Sequence, residues 1–151
     1  MKRHWAQRFF ELAHVVAGWS KDPECKVGAV LVSPDKRQAS WGFNGFPASI
    51  EDTDVRLMTS DLKLEYMVHA ELNAILNARR DVSGWWMFVT QHPCQNCAKA
   101  IIQAGIEVVV CPPPKKFPSK WMVQHQLAES TMTEAGLHIQ HMKPPSSSPD
   151  R

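Results

Sequence analysis

Two short segments carry side chains that could hold a metal ion and use it. His69 precedes Glu71 by two residues, and Cys94 and Cys97 belong to the run PCQNC at residues 93–97. One imidazole and two thiolates form a ligand set that zinc prefers. Cysteines three residues apart on the first turn of a helix point the same way, and the helix N-terminus favours the thiolate. We therefore predict a zinc site at His69, Cys94 and Cys97.

The number of ligands distinguishes catalytic from structural zinc. A catalytic site has three protein ligands and an open position, whereas a structural site is closed by a fourth. Cys25, His92 and Cys111 are the residues that could supply a fourth ligand, and spacing does not exclude His92. The other interpretation of Cys25 and Cys111 is reduced thiols, which, without a secretory signal, indicates a cytoplasmic protein. We expect the open, three-ligand site.

Glu71 determines what such a site would do. A carboxylate two residues from a zinc-binding histidine can reach zinc-bound water without binding the metal. Zinc lowers the pKa of that water to about 7, and a nearby base completes the deprotonation. Alone, Glu71 would be an ordinary carboxylate at a helix N-terminus. H-x-E followed by P-C-x-x-C, however, is typical of zinc nucleobase deaminases, so we predict that Glu71 is catalytic.

The hydrophobic pattern places these motifs in a chain of helices and strands. Apolar residues at steps of three and four predict a helix over residues 4–19. Helices are also predicted at 69–80, 97–103 and 119–135. Short apolar runs and turn residues predict strands at 27–32, 39–44, 85–90, 106–111 and 137–142. Residues 49–67 have a weak pattern and are predicted to be a long connection. This alternation favours an α/β fold, a sheet with helices on its faces.

Length and charge limit the other possibilities. A chain of 151 residues, 44% hydrophobic, is predicted to form a single domain over residues 1–143, with a disordered Pro/Ser-rich tail at 144–151. The net charge of +2 and the acidic stretch at 51–65 argue against binding a nucleic-acid polymer. The apolar runs are too short to cross a membrane.

The chain resembles the deoxycytidylate deaminases of the zinc cytidine deaminase superfamily. The matching stretches are SKDPECKVGAVLV (20–32), GFNGFP (42–47), HAELNAILNA (69–78) and HPCQNCAKAIIQAGIEVVV (92–110). The histidine and cysteine motifs mark the superfamily, whereas GFNGFP and HAELNAI are more specific to the deoxycytidylate branch. The resemblance fades after Val110, and Ser49 stands where the family usually has glycine after the GFNG segment.

This resemblance implies a fold and a reaction. The fold is a three-layer α/β/α arrangement with a mixed five-stranded sheet, as in cytidine deaminase. The reaction is the hydrolytic deamination of dCMP to dUMP, which supplies thymidylate synthesis, with one catalytic zinc per chain and Glu71 moving protons. The resemblance also implies a homo-oligomer, usually a hexamer, activated by dCTP with Mg²⁺ and inhibited by dTTP.

The resemblance assigns further residues to substrate and effectors. Asn44 would contact the sugar and Ala29 the pyrimidine, although a turn asparagine and a buried strand alanine are the alternatives. The residues expected at an allosteric nucleotide site are Asn44, Gly45, Lys21, Lys26 and Arg80. The residues that could close over the pocket are Lys115, Lys116 and Phe117.

Three other functions remain open at this point. The protein could act on another cytosine compound, dCTP or cytidine, because one phosphate changes few side chains. It could act on single-stranded nucleic acid, although that requires a basic and aromatic groove. It could also be a zinc-binding module without activity, which the presence of Glu71 argues against.

Overall fold

The computed structural model describes residues 1–114 and 121–144. The predicted covering residues Lys115, Lys116 and Phe117 lie outside the described residues, as do the predicted start of the last helix and all but the first residue of the predicted tail. The domain and tail boundaries stay predictions.

Six helices and five strands are present in the described part of the chain. The helices are α1 (Arg3–Ala17), α2 (Asp54–Met58), α3 (Ser60–Tyr66), α4 (Ala70–Ala78), α5 (Gln95–Gln103) and α6 (Met122–Glu134). The strands are β1 (Gly28–Val32), β2 (Ala39–Phe43), β3 (Trp86–Val89), β4 (Val108–Cys111) and β5 (His138–His141). The sheet has the order β2-β1-β3-β4-β5. Strand β1 is antiparallel to β2 and β3, whereas β3, β4 and β5 are parallel. The predicted mixed five-stranded sheet is therefore confirmed.

The sheet is covered by helices on both faces. Phe10 of α1 packs with Val30, Phe88 and Val110 on one face. On the other face, residues of α4, α5 and α6 pack against the alternate strand residues, among them Met87. This arrangement is expected from alternating side-chain directions along each strand. The predicted three-layer α/β/α architecture is confirmed.

Two glycines allow helix and strand backbones to meet. A Cβ atom at Gly28 would lie 2.1 Å from the carbonyl oxygen of Ala13 in α1. A Cβ atom at Gly42 would lie 2.3 Å from the backbone nitrogen of Ala74 in α4. Ser40, on the same face as Gly42, donates a hydrogen bond of 2.8 Å to the Ala74 carbonyl. Helix α4 is therefore held directly on β2.

The predicted connection at 49–67 contains two short helices, α2 and α3. The Thr53 hydroxyl caps α2 by accepting from Arg56 N. The apolar residues Val55 and Met58 of α2 are exposed, so the segment lacks the buried stripe that makes a helix visible in a sequence. Among the described residues, no helix has the length and hydropathy needed to cross a bilayer.

Candidate functional site

The predicted zinc ligands meet at the N-termini of two helices. His69 is the N-cap residue of α4, and Cys94 is the N-cap residue of α5. Cys97 follows in the first turn of α5. The Nδ1 atom of His69 lies 3.5 Å from Cys94 Sγ and 3.3 Å from Cys97 Sγ. The structure thus brings together three residues that the sequence separates by up to 28 positions.

These separations fit a zinc ion. Bond lengths of about 2.1 Å to nitrogen and 2.3 Å to sulfur place the N and S ligands of a tetrahedral zinc about 3.6 Å apart. The two N-to-S separations at this site are both within about 0.3 Å of that value. We conclude that the donor set and its geometry match a bound zinc ion.

The site contains three candidate ligands among the described residues. Cys25 is exposed, and its thiol accepts a hydrogen bond from Gln91. His92 and Cys111 belong to a different group of side chains. The three-ligand arrangement leaves a coordination position for water or substrate, as in catalytic zinc sites.

The electrostatics of the ligand cluster favour a thiolate at Cys94. Hydrogen bonds from Cys97 and His69 lower the pKa of Cys94 to about 3. The same contact with Cys94 raises the pKa of His69. Donation to Cys94, together with burial, raises the pKa of Cys97. These shifts favour the thiolate form of Cys94, and metal binding would displace the proton of the Cys97 thiol.

Glu71 is buried beside these ligands. Its side chain belongs to the first turn of α4, and the residue is 4% exposed. Burial raises the pKa of its carboxyl group because a charge in a poorly solvated site is costly. A carboxyl group with a raised pKa returns a proton less readily than an exposed one and accepts it more readily, which suits a general base that later acts as an acid.

A pocket of about 220 Å³ opens in front of Glu71, His69 and Cys94. The remaining residues that line it are Asp22, Glu24, Cys25, Val27, Asn44, Ser60, Lys63, Leu64, Met67, Ala70, Gln91, His92, Trp121 and His125. They come from the loop after α1, the residue after β2, helices α3, α4 and α6, and the segments that precede α4, α5 and α6.

Asn44 lies in the pocket wall and holds the neighbouring loop. Its Oδ1 atom accepts from Val27 N at 2.8 Å, and its Nδ2 atom donates to the Cys25 carbonyl at 2.8 Å. These bonds shape the pocket wall at residues 25–27. The predicted sugar contact of Asn44 stays a prediction. Ala29, predicted to face the pyrimidine, is fully buried in β1 and is not among the described lining residues.

Sequence reasoning missed Lys63. Its Nζ atom lies 3.1 Å from Asp22 Oδ1 and 2.6 Å from Glu24 Oε2. The side chains of Lys63 and Asp22 are 7% and 4% exposed. The pair links α3 to the loop after α1, and both residues line the pocket. The acidic residues near Lys63 in the sequence were the only signal that it has an ion-pair partner. The sequence does not identify Asp22 as that partner, because Asp22 lies 41 residues away.

The predicted effector residues occupy separate places. Lys21 pairs with Asp52 at 2.8 Å, and Lys26 Nζ donates to the Ser20 carbonyl. Gly45 bridges Val68 before α4. Arg80 follows the C-terminal end of α4 and donates to Gln38 Oε1 at 2.6 Å. It is therefore separated from His69 by the length of a nine-residue helix, about 13 Å.

A family model for the "Cytidine and deoxycytidylate deaminase zinc-binding region" matches residues 3–112. The chain belongs to this family. This result confirms the predicted resemblance, the expected hydrolytic deaminase class and the expectation of zinc binding; His69, Cys94 and Cys97 form a candidate site for that ion.

Known members of the deaminase family are similar over most of the chain. An uncharacterized deaminase in the luxG 3′ region of Aliivibrio fischeri is 42% identical over 138 residues, 89% of this chain and 91% of that protein. The deoxycytidylate deaminase of Homo sapiens is 40% identical over 112 residues, 70% of this chain. The match spans 63% of the human protein.

A solved structure confirms the fold. The dCMP deaminase of cyanophage S-TIM5, determined in complex with dCMP and dUMP, superposes with a TM-score of 0.75. The match covers 94% of this chain and 99% of the phage protein at 22% identity. At that identity the similarity concerns the arrangement of helices and strands.

Proposed function

We propose that the protein catalyses the hydrolytic deamination of dCMP to dUMP and ammonia. The observation that carries the proposal is the convergence of His69, Cys94 and Cys97 beside the buried carboxyl group of Glu71, at a pocket that His69, Glu71 and Cys94 line. The relatives named deoxycytidylate deaminases, at 40% identity, support the choice of substrate.

The metal ligands and Glu71 have different roles in this reaction. His69, Cys94 and Cys97 would hold a zinc ion, which when bound would supply activation of a water molecule at neutral pH. The Glu71 carboxylate takes a proton from the attacking water and gives it to ring N3 of cytosine. It then carries the second proton to the exocyclic amino group, which leaves as ammonia. One water is consumed and one ammonia is released, so Glu71 ends the cycle in its starting form.

Lys63 is our candidate for the group that recognises the 5′-phosphate. It is the lysine among the described lining residues, and one of its two partners, Glu24, has a side chain that is 69% exposed. We propose that the phosphate replaces Glu24 at the Lys63 ammonium while Asp22 keeps the lysine in place. Charge-assisted hydrogen bonds of this kind are unavailable to the nucleoside.

A second candidate substrate is an uncharged cytosine nucleoside. The observation that favours it is the acidic lining of the pocket, where Asp22, Glu24 and Glu71 face the single charge of Lys63 within the described lining. Carboxylates close to a phosphate disfavour its binding, whereas they can accept hydrogen bonds from sugar hydroxyl groups.

Ammonia release from four compounds decides between these substrates. The compounds are dCMP, deoxycytidine, dCTP and a cytosine-containing oligonucleotide. If Lys63 recognises the phosphate, kcat/KM for dCMP should exceed that for deoxycytidine by about 100-fold or more. Equal values would reject the monophosphate and favour the nucleoside. Preference for the oligonucleotide would favour a nucleic-acid deaminase, and no release by the zinc-loaded protein would indicate a binding module.

We also propose a regulated homo-oligomer, with a hexamer as the expected form. The family resemblance supports regulation by dCTP with Mg²⁺ and by dTTP. Exposed apolar side chains at Val15, Trp19, Trp41, Val55 and Met58 supply surface that contact with other subunits would cover. Light scattering after size-exclusion chromatography measures the subunit number, and a monomer at assay concentration would reject the oligomer.

A further inference from the structure

A second group of metal-ligand side chains lies outside the pair of motifs. The ligand atoms of His92, Cys111 and His141 all lie within 4.8 Å of one another. We propose that these three residues and Glu129 form a second, structural zinc site. The proposed catalytic mechanism does not use this group.

The sheet topology explains why these residues meet. Strands β3, β4 and β5 are parallel neighbours, so their C-terminal ends share one edge of the sheet. Cys111 is the last residue of β4, His141 is the last residue of β5, and the two are paired in register. His92 follows the end of β3. Glu129 reaches the group from α6. A metal ion here would connect three strands and one helix.

His92 is oriented as metal-binding histidines usually are. Its Nδ1 atom lies 3.0 Å from the Pro93 carbonyl and can donate to it, which leaves the lone pair on Nε2. That Nε2 atom is buried without a hydrogen-bond partner among the described residues, in a side chain that is 1% exposed. A buried polar atom without a partner costs free energy.

Glu129 stands between the two histidines. Its Oε1 atom lies 3.2 Å from His141 Nε2, and its Oε2 atom lies 3.8 Å from His92 Nε2. Ligands of a tetrahedral zinc with bonds of about 2.1 Å are separated by about 3.4 Å. The side chains of His141 and Glu129 are 39% and 32% exposed, so they can move to complete the site. Their exposure also provides an entry route for the ion.

The ligand chemistry selects the metal. Two imidazoles, one thiolate and one carboxylate suit zinc better than the hard cations Mg²⁺ and Ca²⁺, which prefer oxygen. Four protein ligands close a zinc site, so this ion would have no open position for water and would act in stability. The alternative is a metal-free contact in which Glu129 binds one or both histidines.

Zinc stoichiometry tests the proposal on the full-length protein. The protein is stripped with a chelator, loaded with Zn²⁺ alone, dialysed and analysed by mass spectrometry of the metal. We expect about two zinc ions per chain in the wild type and about one in His141→Asn, because loss of one of four ligands opens the site. His138→Asn is the matched control: His138 is exposed on the opposite face of the same strand and should leave the value at two.

Cadmium NMR of the ¹¹³Cd-loaded protein identifies the ligands. Two resonances are expected, one from a centre with two thiolates and one from a centre with a single thiolate. Cys111→Ser should remove the second resonance alone, and Cys97→Ser should change the first alone. One zinc per chain in the wild type, or two in His141→Asn, would overturn the second site. Deaminase assays on the same samples are read separately, so failure of this proposal and failure of the proposed reaction are distinguishable.

Discussion

Replacing Lys63 with methionine tests both its structural and its substrate role. The change keeps an unbranched side chain that is one atom shorter and removes the ammonium that contacts Asp22 and Glu24. Asp22 then loses its cation while staying buried. It keeps two hydrogen bonds, from Glu24 N at 2.9 Å and Cys25 N at 3.1 Å.

The expected loss of stability lies between two limits. Removing one member of a fully buried ion pair costs about 3–5 kcal/mol, and exposed pairs contribute less than about 1 kcal/mol. Lys63 lines a pocket that water can enter, and the backbone bonds partly compensate Asp22. We therefore expect about 2 kcal/mol, which lowers the melting temperature by about 4–8 °C for a chain of this size.

The chain contains a matched control pair. Lys21 and Asp52 are only 2.8 Å apart, yet the Lys21 side chain is 71% exposed. Lys21→Met should therefore change stability by less than about 0.5 kcal/mol. Scanning calorimetry of the zinc-loaded variants measures both changes. Equal melting temperatures for the two variants would refute the claim that burial makes the Lys63 pair important.

Steady-state kinetics of the same variant separate folding from recognition. A hydrogen bond to a charged group contributes about 1.5–3 kcal/mol, so Lys63→Met should lower kcat/KM for dCMP by about 10-fold to 150-fold. The value for deoxycytidine should change little at a temperature where the variant is folded. Parallel losses for both substrates would show that Lys63 shapes the pocket without contacting phosphate. The double variant Asp22→Asn with Lys63→Met should regain stability but not the preference for dCMP.

Three further changes test the ligands, the base and the regulation. Glu71→Gln should retain zinc and lower kcat by about 100-fold to 10,000-fold, and a rate above about a tenth of wild type would refute the proton-transfer role. Cys97→Ser should reduce both zinc content and melting temperature, since binding energy is folding energy, and full occupancy would exclude Cys97 as a ligand. Arg80→Glu should weaken the effect of dCTP and dTTP on the curve of rate against dCMP concentration, without altering zinc content. The coupling free energy between effector and substrate binding that the variant would reduce is about 1–3 kcal/mol. Identical wild-type curves with and without effectors would reject the allosteric site.

Periodicity predicted the elements that form the core. Buried apolar residues form continuous runs in the valine-rich strands β1 and β4 and one-sided stripes on helices α1 and α5. Such patterns can be recognised in a short stretch of sequence without knowledge of the rest of the fold. The helices α2 and α3 were missed because Val55, Met58 and Leu62 face outward and leave no periodic signal. Helix α2 has a side-chain cap at Thr53, which is a weaker signal than burial, and α3 has no side-chain cap.

Part of the candidate site could also be predicted from the sequence, and part could not. The ligands His69, Cys94 and Cys97 could be predicted because their motifs are contiguous and their chemistry is specific. The pairing of Lys63 with Asp22 required knowledge of how α3 folds back onto the loop after α1. The neighbourhood of His92 and His141 depends on strand order, which the parallel pairing of β3, β4 and β5 defines. His92 follows the strand predicted at 85–90, and His141 is the penultimate residue of the strand predicted at 137–142; that position near a strand end was the available signal.

The close approach of Gly42 to α4 has a consequence for interpreting variants. Residue 42 is on β2, away from the lining of the pocket, but the helix it touches begins immediately after His69 and carries Glu71. A methyl group there would push the helix backbone outward and shift the histidine and the carboxylate together, relative to the cysteines on α5. In a mutational screen scored by activity, substitutions at this strand position would therefore be grouped with active-site defects, although the new side chain meets neither metal nor substrate.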